Sequence, residues 1–208
     1  MIQQIKISAM LISIVLLAFF LGLNREFSVP VYAQDLSKII GKYAPEYTRD
    51  NKLKRPLDTE KWIFVGSNLG LKYSGRSTVG NSQYHNVYIS PPAYESYKSN
   101  GEFPDGTMLL LDRYVEESRS EDNPIISDGT FNGDHVGFDI AVKNFNRPDI
   151  TETSKASWAY YGFGSEGNLA NSALAFSDAA CQECHAEHAS DDHVWVQFYP
   201  ILRRFQEE

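Results

Sequence analysis

The chain has 208 residues, 42% of them hydrophobic, which suits one or two domains with a substantial core and excludes a disordered polypeptide. Nineteen Lys and Arg against 27 Asp and Glu give a formal charge of −8, which argues against a nucleic-acid partner held by phosphate contacts. Two cysteines exclude a disulfide-rich scaffold.

In chain order, Lys6 precedes an apolar run over residues 7–23, and Val31-Tyr32-Ala33 places the small-residue pattern that signal peptidase reads just before Gln34. Residues 1–33 are expected to be an export signal that delivers the rest of the chain to the periplasm. Retained, the run would be a membrane anchor at the short end of bilayer-spanning length. Residues 34–58 read as a polar lead-in with a short helix over 36–43, where Leu36, Ile39, Ile40 and Tyr43 recur at helical spacing. The folded domain is expected over 59–208.

Residues 61–66 combine aromatic and β-branched side chains as strands do. Residues 85–89 form a second strand with His85, Val87 and Ile89 on one face. Ser90-Pro91-Pro92 opens a helix over about 93–99: Ser90 is a capping residue type, and Pro91 falls where a missing N–H costs nothing. Asn100-Gly101 ends it, since both tolerate left-handed geometry. Further strands are expected at 107–115, 135–142 and 157–163, with a polar exposed loop over 116–133. From Asp178 the pattern turns helical, and 194–204 is open between strand and helix. The expected fold is α+β, an antiparallel sheet of about five strands with a few helices, one of them C-terminal and bearing a motif.

That motif is Cys181-Gln182-Glu183-Cys184-His185, C-x-x-C-H, the attachment signature of c-type haem. Two thiols one helical turn apart each add across one vinyl group of the same porphyrin, and the adjacent histidine is set under the iron as proximal ligand. Asp178 is a residue type that caps such a helix and suits its dipole. A redox dithiol is expected near a βαβ unit, which the pattern lacks. A zinc site would use Cys181, Cys184, His188 and one more ligand, leaving the place of His185 a coincidence. One covalent haem c per chain, held by Cys181 and Cys184 with His185 on iron, uses all three residues.

The chain also carries Trp62-Ile63-Phe64-Val65-Gly66, His85-Asn86-Val87-Tyr88-Ile89-Ser90-Pro91, Gly101-Glu102-Phe103-Pro104-Asp105-Gly106-Thr107 and Trp158-Ala159-Tyr160-Tyr161. These stand ahead of the C-x-x-C-H motif and Val196-Gln197-Phe198-Tyr199-Pro200-Ile201-Leu202-Arg203. In this order and spacing they resemble the cytochrome P-460 and cytochrome c′-beta family, β-rich periplasmic haem proteins. The resemblance implies five-coordinate haem with His185 proximal and an open distal face. In hydroxylamine-oxidising members a lysine on the strand after the Phe-Pro-Asp-Gly-Thr-like stretch is bonded to the porphyrin. That place falls at or near Leu111, and no lysine occurs between Lys98 and Lys143. The chain is in this respect similar to the lysine-free members, which bind nitric oxide or carbon monoxide in an apolar, aromatic pocket.

On that basis Leu111 and Met108 are expected in an apolar distal wall, with Phe103 as an aromatic cap and Tyr73 as a second aromatic candidate. Arg113 and Asp112 flank the pocket strand, and one of them is expected to reach a ligand. Met108, His85, His135, His188 and His193 are the choices for a sixth iron ligand, each with the competing role of packing or hydrogen bonding. The expected function is an exported, gas-binding c-type cytochrome with nitric oxide or carbon monoxide as ligand. The alternatives are a haem oxidoreductase acting on hydroxylamine or nitric oxide, and a periplasmic electron carrier. A periplasmic redox partner and a homodimer are the expected associations, with no nucleic acid.

Overall fold

Five of the aromatic and β-branched stretches become the strands of one antiparallel sheet, β2 (Ile63–Leu69), β3 (Gln83–Ile89), β4 (Met108–Ser118), β5 (Thr130–Lys143) and β6 (Trp158–Gly162). They pair in sequence order, as a meander interrupted by one helix, α1 (Pro91–Asn100). The computed structural model describes residues 41–71, 82–118 and 128–206, all within the second of two units, Met1–Lys38 and Ile39–Glu208. The expected export signal, the start of the 36–43 helix and Tyr73 lie outside the described residues. Among the described residues no helix is long and apolar enough to cross a membrane.

The helix α1 is delimited as its sequence predicts. Ser90 takes the N-cap place and Pro91 the first turn, although the Ser90 hydroxyl makes no capping bond, and Gly101 ends the helix at φ 72°. A different outcome holds for the polar stretch 116–133. Its two ends continue β4 and β5 as a hairpin, with Glu116 opposite Asn132, Glu117 opposite Phe131 and Ser118 opposite Thr130. Backbone pairing needs no apolar face, so solvent-exposed polar residues extend the ladder, and over β4 the hydroxyls of Tyr84 on β3 and Thr130 on β5 meet at 2.7 Å. The lead-in is also more ordered than its composition implies. Leu53 is fully buried, and β1 (Leu53–Lys54) pairs with β7 (Ser172–Ala173) in a separate two-stranded sheet.

Alternation of side chains gives the large sheet two apolar faces. Met108, Leu110, Phe138, Ile140, Val142, Ala159 and Tyr161 pack toward Leu53, Phe163 and Ala173. Val87, Leu109 and Trp158 pack on the opposite side with Ala93 and Tyr97 of α1 and with Val194, Val196, Tyr199 and Leu202. The stretch left open between strand and helix is helical: a 3-10 turn at Val196–Phe198 and a short helix, α3 (Pro200–Arg203). Val65, Val196 and Leu202 are fully buried, and full burial of such a side chain contributes about 1.5–3 kcal/mol. Packing rather than strand pairing therefore binds this terminal segment. Gly66 permits the approach, since a Cβ there would sit 3.1–3.2 Å from Phe198 and Tyr199 backbone atoms and Pro200 Cδ.

Candidate cofactor site

Helix α2 (Gln182–His188) carries the motif. Cys181 stands at its N-cap, and spacings of three and four residues put Cys181, Cys184 and His185 on one helix face. Asp178 does not cap α2. It lies in a 3-10 turn, and its carboxylate accepts the backbone N–H groups of Lys155 and Ala156 at 3.0 and 3.2 Å, which ties the approach to α2 to the loop before β6.

Between the sheet and this C-terminal segment lies a cavity of about 620 Å³. Its sheet wall is drawn mainly from one face: His85 and Val87 from β3, Leu109, Leu111 and Arg113 from β4, Asp139 and Ala141 from β5, and Trp158 and Tyr160 from β6, with the intervening Leu110 and Ile140 also reaching it. Cys181, His185, His193, Val194, Trp195, Phe198 and Tyr199 form the facing wall. Cys184 is half-buried one turn further along α2 and does not line it.

The orientation of His185 follows from the chemistry of its partners. Nδ1–H donates to the His193 carbonyl at 2.9 Å, and that oxygen only accepts. Nε2 accepts the indole N–H of Trp195 at 3.1 Å, and an indole N–H only donates. The imidazole is thus the neutral Nδ1–H tautomer, with its lone pair at Nε2. Burial, opposed by the His193 carbonyl, also pushes its pKa below the usual histidine value. Tyr160 packs against the ring, centroids 4.5 Å apart.

The His193 carbonyl reaches Nδ1 because the chain turns through two left-handed residues, Asp192 at φ 41° and His193 at φ 64°. Asp192 is pinned by Lys143 Nζ at 2.7 Å and by Trp158 Nε1–H at 3.2 Å, and Lys143 and Trp158 are paired across β5 and β6. The sheet register thereby fixes the tautomer and tilt of the imidazole, an outer-shell arrangement characteristic of histidines that bind metals.

The remaining expected site residues divide. Leu111 lines the cavity. Met108 and Phe103 do not: Met108 is buried in the opposite face of the sheet, and Phe103 is stacked on Tyr97 at 4.2 Å and stands edge-on behind Trp158. Arg113 lines the cavity, whereas Asp112 points the other way, accepts the Tyr114 hydroxyl and stands 2.9 Å from His135 Nε2. His135 accepts the Glu166 N–H, His188 is exposed, and His85 and His193 line the cavity. Sequence reading passed over Trp195, Tyr160, Asp192 and Asp139; strand parity with Leu111 marks Asp139 and Tyr160 through the β4–β5–β6 register.

These residues fit a covalently attached haem. The volume falls in the range of cofactor cavities, about 300–1,000 Å³. Its walls are largely apolar, one of the paired thiols opens into it, and a neutral imidazole nitrogen is held at its edge. Among the described residues no group of three or more His, Cys, Asp or Glu is arranged to hold a metal ion. Sheet, cavity and motif-bearing helix define an α+β cofactor-binding protein. A profile of the cytochrome P460 family matches residues 56–196, more than half of the chain and all of the C-x-x-C-H motif. The chain belongs to the cytochrome P460 family and is a haem-binding cytochrome. A search of curated proteins finds no match.

Proposed function

We propose that the chain is an exported c-type cytochrome that binds a small neutral diatomic, nitric oxide or carbon monoxide, on a five-coordinate haem. The observation that carries the reading is the imidazole of His185, locked by the His193 carbonyl so that its lone pair is offered at Nε2. Cys181 and Cys184 hold the porphyrin through thioether bonds from one helix face. When bound, haem supplies an iron with one exchangeable coordination position, the source of the gas chemistry.

The chain's own residues do the rest. His185 would ligate the iron, and Val87, Leu109, Leu111, Ala141 and Trp158 give the sheet wall of the cavity an apolar stretch. Such a wall suits an uncharged diatomic and offers few donors to stabilise bound oxygen. Leu111, at or near which hydroxylamine-oxidising relatives are expected to carry a lysine, lines the cavity, and none of the described lining residues is a lysine. This favours gas binding over hydroxylamine oxidation.

An optical spectrum of the purified protein tests the reading. A high-spin ferrous band that shifts with carbon monoxide is expected. A low-spin spectrum indifferent to carbon monoxide would establish an electron carrier instead, and a strongly red-shifted ferrous Soret band would reveal a porphyrin cross-link and the enzyme alternative.

A further inference from the structure

Away from α2 the sheet wall of the cavity changes character. Gln83, His85 and Arg113 line it together with Asp139, and Arg113 is the one Lys or Arg among the described lining residues. Its guanidinium is a built feature. Nε–H donates to Asp139 Oδ2 at 2.8 Å and Nη1–H to Gln83 Oε1 at 3.2 Å. The group lies over the backbone of β5 at Gly137, where a Cβ would fall inside van der Waals contact with it. Gly137 has no left-handed backbone to explain it, so the space it leaves is what admits the arginine.

Two of the five guanidinium N–H groups are thus engaged among the described residues, and the side chain is 30% exposed. The planar fork retains donors for a second carboxylate. His85, half-buried, is pushed below the usual histidine value by burial and by Arg113, so it stays neutral and adds no competing charge. Asp139 is the one acid among the described lining residues. Burial raises its pKa, with Arg113 and His135 opposing, which eases its protonation when another carboxylate comes near.

The position of Arg113 is as telling as its chemistry. The motif helix meets the sheet at Tyr160, through Gln182 and His185. Tyr160 is level with Ala141 and Leu109, and Arg113 lies two strands across and four residues along from it, roughly 16 Å by strand spacing and rise. A c-type porphyrin is held by its vinyl edge, and its two carboxylates project from the opposite edge. Cys181, beside Gln182 at the start of the motif helix, lines the same cavity as Arg113, so the attachment helix and the arginine are set apart along one cavity.

We propose that Arg113, seated over Gly137 and oriented by Asp139 and Gln83, is the site that receives a carboxylate of the porphyrin and so fixes its rotation in the cavity. The proposal rests on the haem reading above and assigns Arg113 to the cofactor rather than to the diatomic ligand.

Resonance Raman spectroscopy of the exported, haem-loaded protein reads the carboxylate directly. Arg113→Leu is expected to shift the porphyrin carboxylate bending band. Arg113→Lys should restore it in part, and Gly137→Ala, which keeps the charge but displaces the guanidinium, should shift it as well. A band unchanged by Arg113→Leu overturns the proposal while leaving haem attachment intact; a chain exported without haem is instead the failure of the haem reading. As a second measurement, the full chain bearing Cys181→Ala and Cys184→Ala is titrated with haem and with haem dimethyl ester, whose carboxylates are blocked. Arg113→Leu should weaken haem about tenfold and the ester less than about twofold. Equal weakening of both overturns the assignment.

Discussion

The indole N–H of Trp195 points at Nε2 of His185 from 3.1 Å, the same lone pair that an iron would take. One lone pair serves one partner, so ligation of iron by His185, as proposed, would require the indole to give way. Trp195→Phe removes this competitor while keeping an aromatic ring between His185 and Phe198. A neutral hydrogen bond contributes about 1 kcal/mol net, so haem should bind the Cys181→Ala/Cys184→Ala chain up to about fivefold more tightly in this background. Weaker binding in a spectrophotometric titration would mean that the indole supports the site.

The turn that presents the His193 carbonyl is strained and pinned, and the two aspects separate by mutation. His193→Gly keeps the carbonyl and relieves a left-handed residue, so stability should change by no more than about 1 kcal/mol and the haem spectrum should hold. Asp192→Ala removes the acceptor of Lys143 and Trp158 and should cost about 2 kcal/mol, while altering the ferrous iron–imidazole stretching band. If Asp192→Ala destabilises the fold and leaves that band in place, the pin is structural only.

Burial depresses the pKa of His85, with Arg113 adding to it, and of His185, where the His193 carbonyl opposes it. In the haem-free Cys181→Ala/Cys184→Ala chain the unfolded state takes up protons at these positions near pH 6.5, and the folded state does not. The stability they contribute is present above 6.5 and is lost as pH falls below it, until the folded imidazoles titrate. Asp139, raised above 3.8, acts in the opposite sense: its contribution is lost as pH rises through its folded value. Urea titrations should show unfolding free energy falling from about pH 7 to about pH 5, with His85→Gln reducing the slope. A flat profile contradicts the assigned burial.

Much of this molecule is legible in its sequence because its strongest signals are local. Ser90-Pro91 and Gly101 bracket α1, and the period-two pattern around Val87 marks the cavity-facing side of β3. The same pattern separates residues that were expected together. Met108 and Leu111 differ in parity, as do Asp112 and Arg113, so one of each pair faces the cavity and the other faces away. Phe103 lies between the end of α1 and a turn rather than on a strand, and its partner Tyr97 is set by the docking of α1, which no local pattern encodes. The β1–β7 pair and the Asp192–Lys143–Trp158 pin join residues far apart in the chain, and only the folded register brings them together. Gly66 and Gly137 were the overlooked clues, since a strand glycine marks the close approach of another group.

Mass spectrometry of the peptide spanning residues 181–185, from protein exported by a host that matures c-type cytochromes, addresses the central claim most directly. One haem carried on Cys181 and Cys184 of that peptide is the predicted result. Two unmodified thiols, open to alkylation, would contradict it.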